Sequence, residues 1–233
     1  SAFLRTIAVA AGFTVRGGPC HVYGLDFGNR GLAMLEPLPH VGSIIYASDH
    51  ERVVRLLTML RETIDERALR YSAVNAATIT DFRRLADAPD EPRIIVLVDG
   101  LTSFQAAYDS HAGQRWLDLF TSLAGDGRPV GVHFVVTADQ RNGLWGGLSS
   151  AIQNRVVLRM ATVDDYLSLD VDADVLSLGS PPGRAIVHDR EVQVAVLGGS
   201  SDSTVQARAI HGFAEGVRRA GVPEAPPILS LPE

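Results

Sequence analysis

The run Pro92-Arg93-Ile94-Ile95-Val96-Leu97-Val98-Asp99-Gly100 holds the residue best placed for chemistry. Its apolar stretch from Ile94 to Val98, opened by a proline and an arginine and closed by an acid and a glycine, suits a parallel strand covered on both faces. Asp99 then stands at the strand's carboxyl end, where open α/β sheets place their ligands. A carboxylate there can hold a hydrated divalent cation, or it can simply cap the following turn. The residues alone leave both readings open. A nucleotide hydrolase of this layout would want a second acid at the next position to handle the attacking water, and this chain has Gly100. The strand indicates a nucleotide site, and the glycine indicates impaired chemistry.

Composition limits what such a site can be. The chain has 233 residues, 46% hydrophobic and 21% charged, enough for one large domain with a substantial core. Its net charge of −6 does not predict a stand-alone nucleic-acid binder, whose phosphate contacts need a basic face. All 21 basic residues are arginine, so no lysine within the chain can assist phosphate chemistry. Cys20 is the single cysteine, which excludes an internal disulfide and a multi-cysteine metal site. A buried structural thiol is expected there. No apolar run approaches the roughly 20 residues that span a bilayer, and a cytoplasmic setting is expected.

The elements that must position Asp99 follow from periodicity. Residues 1–12 read as a helix with apolar positions 3, 4, 7, 8 and 11 on one face, entered without a cap or a preceding strand. Cys20 to Phe27 reads as a second buried strand, again ending in an acid, Asp26. A Gly/Pro-rich loop then leads to a short strand at Ile44-Ile45-Tyr46. Ser48 and Glu51 have capping-box spacing before a helix carrying Val53, Leu56, Leu57, Leu60 and Ile64, with its arginines and acids expected on a solvated face. Thr78 is expected to cap a short helix.

Beyond Gly100 comes a polar segment with Thr102, Ser103 and Gln105, then a helix with Trp116, Leu117, Phe120 and Leu123 on one side. Val132–Thr137 and Arg155–Met160 read as further strands, with a helix near residues 144–152 between them. His133, inside an apolar strand, fits a satisfied core histidine, and Thr162-Val163-Asp164-Asp165 is expected to cap a short helix, with Asp164 and Asp165 serving that cap. Two strands meeting at His188-Asp189-Arg190-Glu191 predict an antiparallel hairpin at the sheet edge. Ser203 and Gln206 have capping-box spacing before a last amphipathic helix. The alternation implies an α/β domain over residues 1–221 with a mostly parallel sheet, and residues 222–233 read as a linker or tail of a longer chain.

Several of these pieces, in order, resemble the FtsK/SpoIIIE-type ATPases: Ser1-Ala2-Phe3-Leu4-Arg5-Thr6, Leu25-Asp26-Phe27-Gly28, Gly31-Leu32-Ala33 with Leu38-Pro39-His40-Val41, Val98-Asp99, Gly131-Val132-His133 through Asp139, Arg155–Arg159 and Pro182-Gly183-Arg184-Ala185. Glu191–Gly198 is most similar to the branch containing the EccC ATPases of actinobacterial type VII secretion. The resemblance implies a RecA-like P-loop NTPase fold, with helices on both faces of the sheet. It implies ATP and Mg²⁺ as cofactors, with Ser1 as the phosphate-loop serine, Asp99 as the Walker B acid, and Thr137 with Gln140 at the polar sensor position. Arg141, Arg155 and Arg184 are the candidates for an arginine acting on a neighbouring subunit's nucleotide. The phosphate loop itself is expected upstream of Ser1.

The leading expectation is therefore a degenerate ATP-binding motor domain of an EccC-like secretion ATPase. Its implied partners are sister ATPase domains or a hexameric ring and a secreted protein, at the inner face of the membrane within a membrane-anchored parent, with no membrane insertion by this segment. An FtsK-like DNA translocase and a peptide-binding module without nucleotide are the alternatives. On sequence alone, Gly100→Glu is expected to raise hydrolysis if the missing base is the main defect.

Overall fold

The computed structural model describes residues 1–13, 19–138, 144–160, 162–169, 171–172, 176 and 179–231. Four parallel strands, β1 (Cys20–Asp26), β2 (Val41–Tyr46), β3 (Arg93–Asp99) and β4 (Val132–Val136), lie in the order β2-β1-β3-β4. β3 pairs with β1 in unbroken register from Cys20 opposite Arg93 to Asp26 opposite Asp99. The two acid-terminated strands thus end side by side. A second, antiparallel sheet joins β5 (Val157–Leu158), β6 (Arg184–Val187) and β7 (Arg190–Gln193). The expected β6–β7 hairpin forms, turning through His188 and Asp189, both with positive φ, but it pairs with β5 in its own sheet and does not edge the parallel one. The strand expected over Arg155–Met160 is only two residues long and pairs with β6.

Strand alternation sorts the core into two layers. Val22 and Leu97 face a cluster with Leu4 and Ala8 of α1 (Ala2–Ala11), Leu32, Leu35 and Leu38 of the loop after β1, and Ile210 and Ala214 of α8 (Ser203–Arg219). Tyr23, Leu25, Val96 and Val98 face the other way. They meet Leu56, Leu57 and Leu60 of α2 (His50–Ala73), Phe82 of α3 (Ile79–Leu85), Phe104 of α4 (Leu101–Tyr108) and Phe120 of α5 (Gln114–Asp126). Helices therefore cover both faces of the parallel sheet. Two short helices, α6 (Gly146–Ala151) and α7 (Val163–Ser168), flank β5.

Local expectations meet several corrections. Asp49, not Ser48, caps α2, its carboxylate accepting from the Arg52 N–H, because the chain turns one residue later than the Ser/Glu spacing suggests. Asp202, not Ser203, caps α8 by accepting from the Thr204 and Val205 N–H groups, and Gln206 instead donates to the Ser200 carbonyl. The polar residues after Gly100 already belong to α4. Thr78 and Thr162 cap their helices as expected, Thr162 in a full capping box with Asp165.

Arg67 is the exception on the polar face of α2. It is buried, with its Nε 2.9 Å from Glu91 Oε1 and its Nη atoms donating to the carbonyls of Val130 (2.9 Å) and Pro92 (2.8 Å). One guanidinium thus ties α2 to the entry points of β3 and β4. Arg70 reaches the other Glu91 oxygen at 2.7 Å from a more exposed position. Residues 222–231 run back along β2: Ala225 N–H donates to the Pro39 carbonyl, Ile228 N–H to Ser43 Oγ, and Tyr23 Oη to the Pro226 carbonyl. Glu91→Ala leaves the Arg67 charge buried without its counter-ion, and its expected cost is about 3 to 5 kcal/mol of unfolding free energy by urea titration. Arg70→Ala should cost less than about 1 kcal/mol in the same measurement.

Candidate nucleotide and magnesium site

Asp99 emerges from β3 only 5% exposed. A buried carboxylate needs donors, and it has them. Ser1 Oγ, at the start of α1, donates to Asp99 Oδ2, and Thr137 Oγ1, just beyond β4, donates to Oδ1 at 2.8 Å. Thr137 is used twice, because its hydroxyl also accepts from the Gly100 N–H at 3.0 Å. The Leu101 N–H donates to the Thr137 carbonyl at 2.9 Å, so the exits of β3 and β4 are locked together.

Burial alone would raise the Asp99 pKa. The Ser1 and Thr137 hydroxyls act against it, and the carboxyl is held below its ordinary value. The grouping is one carboxylate and two hydroxyls at the amino terminus of a helix. Hard oxygen donors of this kind suit Mg²⁺, which keeps several waters and takes one or two carboxylates plus substrate phosphates. Among the described residues no cluster of three or more His, Cys, Asp or Glu could hold a metal by itself. The residues present therefore fit a nucleotide-bound magnesium ion, not an all-protein cage. Bound there, Mg²⁺ would neutralise phosphate charge, while Ser1 and Asp99 would orient it.

Gln140 and Arg141 lie outside the described residues. Arg155 is exposed and lines an open cleft of about 1510 Å³ between β4 and the antiparallel sheet. Arg184 is paired with Glu191 at 2.8 Å. His133 is half-buried on β4, where burial, then Arg93 and Arg128, lower its pKa. The Cys20 thiol is pushed up to about 11 by burial.

Two residues beside the site were not singled out from sequence. Asp26, 2% exposed, ends β1 opposite Asp99, and the matching acid at two neighbouring strand ends was its signal. Arg5 follows Ser1 by about one helical turn, so it lies on the same side of α1. Its Nη1 donates to the Gly31 carbonyl at 3.3 Å.

Because the folded pKa of Asp99 lies below that of an unfolded aspartate, its charged form stabilises the fold fully above the unfolded value. That contribution is lost as pH falls through the lowered folded value. Thr137→Val removes one donor, so the Asp99 pKa should rise and stability at neutral pH should fall by about 1.5 to 3 kcal/mol. The variant should then lose less stability on acidification than the wild type, read as urea midpoints from neutral to acid pH. Equal acid losses in both proteins would remove Thr137 from this role.

The chain is 25% identical over 249 residues to the ESX-1 secretion system protein EccCb1 of Mycolicibacterium smegmatis, matching along 100% of its own length but only 40% of the relative's. The chain thus spans about two fifths of that relative. Among solved structures, EssC (ATPases 2 and 3) from Geobacillus thermodenitrificans superposes with a TM-score of 0.84 at 20% identity, covering 98% of this chain and 44% of the other. EccC (ATPases 2 and 3) of Thermomonospora curvata, in complex with a signal sequence peptide, gives 0.83 at 23% identity over 99% and 42%. These structures share the RecA-like P-loop fold. The FtsK/SpoIIIE family model matches residues 1–180, about three quarters of the sequence, and the chain belongs to that family.

Proposed function

We propose that this chain is a nucleotide-binding motor domain of an EccC-like type VII secretion ATPase, one that binds ATP with Mg²⁺ and hydrolyses it weakly or not at all. The observation that carries the reading is the convergence of Ser1, Thr137 and Asp99 at the strand ends beside a glycine where a second acid would act. Ser1 and Asp99 hold the ion, the first turn of α1 faces the phosphates, and Thr137 keeps Asp99 charged. No side chain at position 100 can take a proton from an attacking water.

The phosphate loop is proposed to come from residues preceding Ser1 in the parent chain. What supports this is the cleft beside β4. Among the described residues β4 pairs only with β3, and Phe134, Val135 and Val136 are half-exposed although apolar. The cleft reaches from this free edge to Ser1, Ala2 and Phe3, so a strand lying in it could lead directly into α1. Sister ATPase domains in the same parent are proposed from the two-ATPase structures of which this chain covers less than half. Contact with a secreted protein is proposed from the signal-peptide complex of the Thermomonospora curvata protein. The net charge of −6 speaks against duplex DNA as the substrate.

Gly100 has a backbone reason to stay glycine. Its φ is +83°, and a Cβ there would lie 3.1 Å from the carbonyl carbon and oxygen of Phe27 and 3.2 Å from the Gly28 nitrogen. Restoring an acid by substitution therefore meets left-handed strain and backbone contact together. Gly100→Glu is expected to cost at least about 1 to 2 kcal/mol and to leave hydrolysis unchanged. Recovery of turnover in that variant would show that the missing base is the only defect. In a protein extended upstream of Ser1, calorimetry should give magnesium-dependent ATP binding. No heat and no thermal shift at millimolar ATP would sink the nucleotide reading, and salt-sensitive duplex binding with DNA-stimulated hydrolysis would replace secretion by DNA translocation.

A further inference from the structure

We propose that the loop from Phe27 to Leu32 is a wall of the magnesium–nucleotide site, with Asp26 and Arg5 as the positioning residues that set it. The inference rests on the nucleotide reading and adds to it the part of the chain that decides whether the metal fits. Asp26 stands opposite Asp99 in the β1–β3 register, but its carboxylate is spent on the backbone. Oδ1 accepts from the Gly28 N–H at 3.1 Å, and Oδ2 accepts from the Leu32 N–H at 2.9 Å. One buried side chain therefore closes the loop at both ends. The Phe27 N–H donates to the Asp99 carbonyl at 2.9 Å and fixes the loop's stem to β3.

From the other side, Arg5 Nη1 holds the Gly31 carbonyl. Burial lowers the Arg5 pKa, against the opposing charge of Asp99, and its buried Nε has no partner of its own among the described residues. The loop's one charged residue, Arg30, adopts a φ of 56° and stacks its guanidinium on the Tyr46 ring at 4.0 Å. What faces Asp99 and Ser1 is then glycine. A Cβ at Gly28 would come to 3.3 Å from Asp99 Oδ2, and a Cβ at Gly31 to 2.6 Å from the Ser1 Cβ and 3.4 Å from Asp99 Oδ2. Neither glycine has a left-handed φ, so each is required for space and not for conformation. A Cβ at Gly31 would push on the Ser1 side chain and one at Gly28 would crowd Asp99 Oδ2, so a side chain at either place shifts a group assigned to the cation.

The test uses the full-length protein and compares ATP affinity with magnesium and with magnesium removed by a chelator. Gly31→Ala narrows the wall without backbone strain. Asp26→Asn keeps the side-chain shape but turns one accepting oxygen into a donor facing an N–H. Each variant should weaken magnesium-ATP binding at least about tenfold, equivalent to ~1.4 kcal/mol, while metal-free ATP affinity changes much less. A residue that only supports the fold would move both affinities together, and that result overturns the proposal. Wild-type affinity for magnesium-ATP in Gly31→Ala overturns it as well, even if Asp26→Asn fails to fold. A wild-type protein that binds no magnesium-ATP removes the nucleotide reading itself, and this is seen before any variant is made.

Discussion

The structure turns on one buried carboxylate and the donors that keep it charged. Asp99 sits at the end of an apolar strand, where an unpaired anion would cost several kcal/mol. Its two oxygens draw in α1 through Ser1 and the β4 exit through Thr137. The β3 exit follows, because Thr137 also fixes Gly100. Each of these elements has an apolar face that packs without reference to Asp99. What the carboxylate adds is their relative position at the sheet's carboxyl end, and that position is the site.

The layers of the fold were legible because apolar periodicity is a local property. The 94–98 run, the α2 stripe and the hairpin at His188 each announce themselves within a dozen residues. Thr78 and Thr162 were legible for the same reason. The caps at Asp49 and Asp202 were not. Each lies one residue from an equally acceptable serine, and only the backbone turn chooses between them. Arg67 was illegible for a different reason. An arginine on a polar helix face looks solvated until the carbonyls of Val130 and Pro92, far along the chain, are brought to it.

The site was legible in part. Asp99 and Thr137 could be placed at strand ends, and the structure joins them. The bond from Ser1 to Asp99 spans 98 residues, and no local pattern encodes it. Asp26 was read as a strand-end acid, but its work on the Gly28 and Leu32 amides depends on how the loop folds back. Glycines in that loop looked like turn residues. Their ordinary φ values show that the requirement is closeness to Ser1 and Asp99, a constraint with no signature in a single sequence.

Gly100 and the Phe27–Leu32 loop are best understood as one adaptation. Had the second acid been lost by a single substitution, the backbone at position 100 would still accept a side chain, and the space beside it would be open. Instead φ is +83° and the Phe27 carbonyl and Gly28 amide occupy the direction a Cβ would take. The stem of the same loop is held by the Asp99 carbonyl, and its far end by Asp26. The loop thus approaches the strand end as closely as it does because residue 100 has no side chain. In exchange it brings a wall of glycine backbone against the Asp99 carboxylate. A site built this way gives up the position from which water would be activated and keeps the surface against which a hydrated cation would rest. On the nucleotide reading proposed above, that combination would favour holding a nucleotide over turning it over.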